Sequence, residues 1–272
     1  MPELPEVETT IRGLKPILGS TIINIKINTP KLRFFIPKNI SLLTKVEIID
    51  IKRMGKFIIF LLSNDYSIIL HLGMSGRLRL FEANKFKQKK HDHFFLRTNQ
   101  DHLLVFNDAR RFGFIDCGKT KNMFEKKYIL RLGRDALEKN LNGKYLISKI
   151  SNTAVPIKQI LLDQSIIAGI GNIYACEILF NARISPLVQG KDLSLNECTK
   201  IIISTNLILK KAIKHGGSTL RDYVSIDGTL GSFQNNFKVY SRDNKKIFGK
   251  TIKKIVQYGR STYYCPDLQK IK

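Results

Sequence analysis

Val7, Ile11, Leu14 and Leu18 recur at the spacing of one face of an α-helix, so the chain is expected to open on a helix directly behind Pro2. A proline there loses nothing, because the first helical N–H groups have no partner in any case. The period then changes. In TIINIKIN, Ile23, Ile25 and Ile27 alternate with polar neighbours, as in a half-buried strand. KVEIIDIKRMGKFIIFLL, a turn at Ser63-Asn64-Asp65 and YSIILHLGMSGRLRLF read as further antiparallel strands. HFFLRT and HLLVFN flank a hairpin turn at Asn99-Gln100-Asp101, and NKFKQKK reads as a basic surface loop. Residues from about 20 to 116 therefore predict a sandwich or barrel of short strands. From about residue 120 the helical period returns, in EKNLNGKYLISKIS, VPIKQILLDQ, IYACEILFNARI and LSLNECTKIIISTNLILKKAIKHG. A last segment from about Lys238 goes back to short β-like runs. The expected class is α+β: a first helix and β domain over 1–116, a link over 117–135, a helical domain over 136–237 and a β-hairpin appendage over 238–272.

The 272 residues carry 46 Lys and Arg against 22 Asp and Glu, a net charge of +24. Such an excess, spread through folded segments, points to a polyanionic partner, with nucleic acid first and an acidic membrane surface as the rival. The longest purely apolar run, FIIFLL, is too short for a membrane span. Glu3, Glu6 and Glu8 precede any basic residue and no apolar run follows, which does not resemble a secretory signal. The four cysteines are far apart with no C-x-x-C pair, and they fit a reducing cytoplasm. His91 and His93, two apart, are too few for a metal and read as structural or surface residues.

Gly169-Ile170-Gly171 lets the backbone turn tightly before a helix that opens at Asn172 or Ile173. N–H groups at such a helix start suit a phosphate. The spacing does not fit the dinucleotide pattern, since Tyr174 stands where the third glycine belongs. DNA backbone contact suits a charge of +24 better than a soluble nucleotide does.

MPELPEVET, KRMGKF, HLGMSG, KHDH, NDARRFG, LLDQ, GIGNIYACE, GGSTLRDY and GRSTYYCP stand in one order along the chain. In that order the sequence resembles the formamidopyrimidine-DNA glycosylases, which excise oxidised purines from DNA, and the likeness runs from residue 2 almost to residue 270. It implies a β-sandwich behind a catalytic helix, a helix–two-turn–helix domain and a terminal finger hairpin. It also implies a monomer, acting without a membrane on double-stranded DNA that holds oxidised bases or abasic sites. Pro2 becomes the nucleophile once Met1 is removed. Chemically this is sensible: an α-amine has a pKa of about 7.7–8.0 against about 10.4 for lysine, so far more of it is neutral near pH 7.4. As a secondary amine it forms an iminium that stays charged and draws electrons. Glu3 matches the general acid at the deoxyribose ring oxygen, and Lys56 a phosphate-contacting lysine of the catalytic site. His71 matches a phosphate contact. Met74 matches the side chain filling the hole left by the everted nucleotide, with Arg110 reading the orphaned base and Phe112 wedged into the stack. Lys158 and Asn172 match residues gripping the backbone around the lesion, and Arg260 a finger arginine that contacts phosphates and supports elimination. Gly216, Gly217, Ser218, Thr219, Leu220, Arg221, Asp222 and Tyr223 resemble the loop that folds over an everted 8-oxoguanine.

The chain departs from the family at its end. The family pattern there is two C-x-x-C pairs, a four-thiolate zinc signature. Alignment on Gly249, Ile252 and Arg260 leaves Lys245, Phe248 and Leu268 at three of those positions and only Cys265 at the fourth. No zinc or other cofactor is expected, and Ile247, Phe248, Ile252, Tyr263 and Leu268 are expected to form a small apolar substitute core. Two other functions compete with a bifunctional glycosylase and abasic-site lyase for oxidised purines. An endonuclease VIII type acting on oxidised pyrimidines typically begins PEGPE, unlike Pro2-Glu3-Leu4-Pro5-Glu6, and the intact ARRFG is also purine-type. A non-catalytic lesion-binding protein is opposed by the retention of Pro2, Glu3 and Lys56.

Overall fold

Helix α1 (Leu4–Gly13) starts immediately after Glu3, with Pro5 in its first turn, and buries Leu4 and Val7. Leu18 does not continue its apolar face. The helix ends at Gly13, and a 3-10 turn over Lys15–Ile17 buries Ile17 and leaves Leu18 out in solvent. The computed structural model describes residues 2–218 and 231–270. The chain gathers into two units, residues 1–130 with 215–234 and residues 131–214 with 235–272.

Among the described residues of the first unit, eight antiparallel strands follow α1: β1 (Thr21–Ile27), β2 (Val46–Met54), β3 (Phe57–Leu62), β4 (Tyr66–His71), β5 (Arg77–Glu82), β6 (Asp92–Thr98), β7 (His102–Asn107) and β8 (Phe114–Lys119). Their order is β5-β7-β6-β1-β2-β3-β4-β8. The β1–β2 join is short, pairing Thr21 with Glu47 and Ile22 with Val46. This lets the two four-stranded halves form a sandwich. Ile22, Phe94, Leu96, Leu104 and Phe106 of one half share a core with Ile48, Ile58, Phe60, Ile68, Leu70 and Ile115 of the other. The alternation expected in TIINIKIN is shifted by a bulge between Ile22 and Asn24, so Ile22 and Ile25 point inward while Ile23 is exposed. The segment expected to be a link is largely structured. It carries the end of β8, α2 (Thr120–Phe124), α3 (Lys127–Leu130) and β9 (Arg134–Asp135).

The second unit holds α4 (Gly143–Ile150), α5 (Ile157–Leu162), α6 (Asn172–Asn181) and α7 (Leu195–Lys214), with β9 paired in parallel to β10 (Ile167–Ala168). Asn142 caps α4 by accepting from the Tyr145 N–H at 2.9 Å. α4 lies so close to α7 that a Cβ on Gly143 would stand 2.2 Å from Thr199 Oγ1. Residues Ile173 to Phe180 of α6 are all buried, Glu177 among them, so the helix is enclosed on every side.

The terminal segment forms two hairpins, β11 (Lys246–Ile247) with β12 (Lys250–Thr251) and β13 (Lys253–Gln257) with β14 (Arg260–Tyr264). Ile252, Tyr263 and Cys265 bury against Cys176 and Phe180 of α6 and against Val239, with Ile247 and Leu268 at the margin. The expected substitute core therefore exists with one correction. Phe248 is not in it. It occupies a two-residue turn with Gly249, both at positive φ (49° and 74°), and its side chain is 73% exposed. The Arg183 guanidinium lies over its ring, 5.4 Å from the centroid.

Candidate active site and nucleic-acid interface

Pro2 and Glu3 are both buried at the start of α1, with Glu3 only 2% exposed. The Glu3 N–H donates to Glu6 Oε2 at 2.8 Å, part of a capping box that fixes the chain just behind Pro2. One turn on, Glu8 accepts from Arg53 Nε at 3.0 Å, and Arg53 Nη1 donates to Gly55 O at 3.1 Å. α1 is thereby tied to the two-residue turn Gly55-Lys56 between β2 and β3, and Lys56 is itself 7% exposed. Neither Glu8 nor Arg53 stood out in the sequence. A carboxylate five residues after Glu3 and an arginine three before Lys56 were the signal.

His71 ends β4 directly opposite Phe57 on β3. Its ring packs on Phe57 and Phe114 at 5.0 and 5.7 Å. Enclosure first, then the positive charges of Lys56 and Arg33, lower its pKa to about 4, so the ring is neutral at physiological pH. The Gly73 N–H donates to Nδ1 at 3.1 Å, which leaves the proton on Nε2.

Met74, Arg110 and Phe112 come together at the end of the sandwich. Met74 and Phe112 are 36% and 44% exposed, and the Arg110 guanidinium lies 4.7 Å from the Phe112 ring centroid. Their two loops touch through glycine. Gly73, at φ +64°, lies so close that a Cβ would stand 2.4 Å from Gly113 N. Asp108, fully buried, anchors both loops. It accepts from Ser75 Oγ, from the Arg110 N–H at 3.3 Å and from the Gly113 N–H at 2.8 Å. Its own carbonyl bonds His93 Nε2 at 2.8 Å, so His93 is structural, as expected. Asp108 was visible only as the second letter of NDARRFG.

In the second unit Lys158, Asn172 and Arg260 converge, but Lys158 does not face outward. It is 1% exposed, and its Nζ donates to Asn172 Oδ1 at 2.6 Å, Thr262 Oγ1 at 2.8 Å and Ser261 O at 3.3 Å. Asn172, first residue of α6, donates to Ser261 O at 2.9 Å. The pair holds the strand that begins with Arg260, whose side chain is exposed beside the Tyr258-Gly259 turn. Two residues beyond the end of Lys158's helix, Gln164 braces the glycine turn, accepting from the Gly169 N–H and donating to Ile170 O, both at 2.9 Å. Glu177 receives the N–H groups of Lys238, Val239 and Tyr240 at 2.8–2.9 Å. Burial pushes its pKa up, and those donors oppose the shift.

Gly217 and Ser218 lie in the first unit beside α1, whereas Thr219, Leu220, Arg221 and Tyr223 fall outside the described residues. Among the described residues no group of three or more His, Cys, Asp or Glu could hold a metal ion. At the four positions of the family's zinc signature, Cys265 is buried in an apolar cluster, Lys245 and Phe248 are exposed and Leu268 is apolar. One sulfur does not fit a zinc site.

Residues 1–115 match the family model for the formamidopyrimidine-DNA glycosylase N-terminal domain, and residues 132–224 match that for the H2TH domain of the same proteins. The chain belongs to the formamidopyrimidine-DNA glycosylase family. The glycosylase of Zymomonas mobilis is 44% identical over 273 residues, covering 99% of this chain and all of that one, and that of Rickettsia africae is 41% identical with 99% of each covered. Lactococcus lactis Fpg bound to DNA containing an abasic site superposes with a TM-score of 0.90 at 34% identity. A variant of that protein bound to Fapy-dG DNA gives 0.91 at the same identity, each covering 99% of this chain and all of that one.

Proposed function

We propose that this glycosylase is bifunctional, excising oxidised purines such as 8-oxoguanine and formamidopyrimidines and then cleaving the abasic strand. The observation that carries this is Pro2 held beside a buried, backbone-anchored Glu3, with Lys56 in a turn strapped to the same helix. The Pro2 nitrogen attacks C1′, and the C1′–N bond breaks with its electron pair leaving on the base, which takes up a proton. Glu3 donates a proton to the ring oxygen as the sugar opens, and Pro2 becomes an iminium. Loss of a C2′ proton expels the 3′ phosphate, δ-elimination expels the 5′ phosphate, and water frees Pro2.

The plug of Met74 and Phe112, with Arg110 over the ring, supports a duplex from which one nucleotide has been everted. Such a gap costs a few kcal/mol unless it is filled. Lys56 and a neutral His71 donating through Nε2 support phosphate contact, as does the exposed Arg260, while Lys158 acts by holding the strand that presents Arg260. The finger is proposed to work without zinc, on the apolar cluster around Ile252. The four cysteines are all buried, and the thiols of Cys117 and Cys198 are pushed up to about 12 and about 11, which suits a reducing cytoplasm.

The test is borohydride trapping on duplex DNA with 8-oxoguanine opposite cytosine, with the adduct mapped by mass spectrometry. The expected result is a covalent adduct at Pro2 that is lost when Met1 is retained. An adduct at a lysine, or much faster release of thymine glycol than of 8-oxoguanine, overturns the reading.

A further inference from the structure

Glu6 is 1% exposed and does two things at once. Its Oε2 accepts the Glu3 N–H at 2.8 Å, and its Oε1 accepts the N–H of Ser218 at 2.8 Å and the Ser218 hydroxyl at 3.1 Å. Ser218 is 212 residues further along the chain. It lies on a tight stem. The Phe233 N–H donates to Gly217 O and the Ser232 N–H to His215 O, both at 3.0 Å, and Ser218 bridges Ser232. Gly217, at φ +76°, closes this stem onto the carboxylate: a Cβ there would stand 2.9 Å from Glu6 Oε1 and 3.1 Å from its Cγ. Across the stem, a Cβ on Gly231 would stand 2.5 Å from Gly217 O. The arrangement demands a group that accepts on both oxygens. An amide would turn its NH2 against one of the N–H donors.

We propose that Glu6 is a positioning residue through which the Gly217–Ser218 stem sets the place of Glu3 and of the Pro2 amine one residue upstream. The stem then governs the covalent step itself, even on DNA with no damaged base to recognise. This rests on the reading of Pro2 as nucleophile. A displacement of about 1 Å at a reacting atom is enough to cost on the order of 100-fold in rate.

The experiment is borohydride trapping of the full-length protein on DNA carrying a preformed abasic site, in single turnover at saturating DNA. With the base absent, a stem substitution cannot act through base recognition. Gly217→Ala and Glu6→Gln are each expected to lower the trapping rate constant by ~10-fold or more, with affinity for the abasic duplex held to within about twofold. The double variant is expected to be no slower than the worse single one, because both disturb one contact. Ser232→Ala, which among the described residues removes a 3.4 Å hydroxyl bond to His215 O, is expected to trap like the parent. Should Glu6→Gln fail to fold, Gly217→Ala decides alone. Unchanged trapping rate constants, or a loss confined to affinity, overturn the proposal. Trapping by the parent protein at a residue other than Pro2 instead overturns the nucleophile reading, and the two failures are distinct.

Discussion

His71 shows how far a residue's surroundings can move it from its usual chemistry. Its folded pKa, about 4, lies below the unfolded value of 6.5, so between those limits the unfolded chain binds more protons than the folded one. Stability is complete above about pH 6.5 and is lost progressively as pH falls towards 4, by at most about 3 kcal/mol. Urea midpoints measured across that window are expected to fall more steeply for the parent than for His71→Gln; parallel curves would mean that His71 is not enclosed as described. Lys158 makes the converse case, a charged group kept by three oxygen partners. Lys158→Met is expected to cost on the order of 3 kcal/mol, because Asn172, Thr262 and Ser261 lose a buried charged donor. Strand cleavage should fall with it, since those partners hold the start of β14.

At the scale of elements, the terminal hairpins are attached by a few buried residues. Glu177 gathers three successive N–H groups where the segment leaves the helical unit, and Gln269 Nε2 bonds Ile184 O at 2.9 Å near its end. Between them sits the apolar cluster around Ile252. Ile252→Ala is expected to cost about 2–5 kcal/mol and to lower cleavage by loosening the strand that carries Arg260. Phe248→Ala, at an exposed turn, is expected to lie within about 0.5 kcal/mol of the parent. Chemical denaturation of the two variants side by side checks both, and equal effects would refute this assignment of the core.

For the molecule as a whole, the +24 charge predicts affinity governed by counterion release. Each phosphate neutralised contributes about 0.9 to the slope of log K against log salt concentration. Arg260→Ala is expected to lower that slope by roughly one such contact, read from titrations of abasic duplex at several salt concentrations. An unchanged slope would remove Arg260 from the phosphate contacts. Chelators should leave activity intact, and metal analysis should find no stoichiometric zinc; its presence would show the finger to be misread.

Hydrophobic period located the first helix, the strands of the sandwich and helices α4 to α7, because the 3.6-residue and two-residue repeats are properties of short segments, but it missed the short elements α2, α3, β9 and β10. The sequence also determined the charge, the missing thiolates at Lys245, Phe248 and Leu268, and the run of motifs that starts at Pro2. Where period misled, one residue was enough: a bulge at β1 turned Ile23 out, and a positive-φ turn did the same to Phe248. Only the tertiary structure decided the partners of buried polar groups. Nothing near Lys158 in the chain announces Thr262, 104 residues on, nor does anything beside Glu6 announce Ser218, 212 residues on. A buried charge must be matched by whatever the fold brings to it, and that choice is made by packing between distant segments rather than by local pattern.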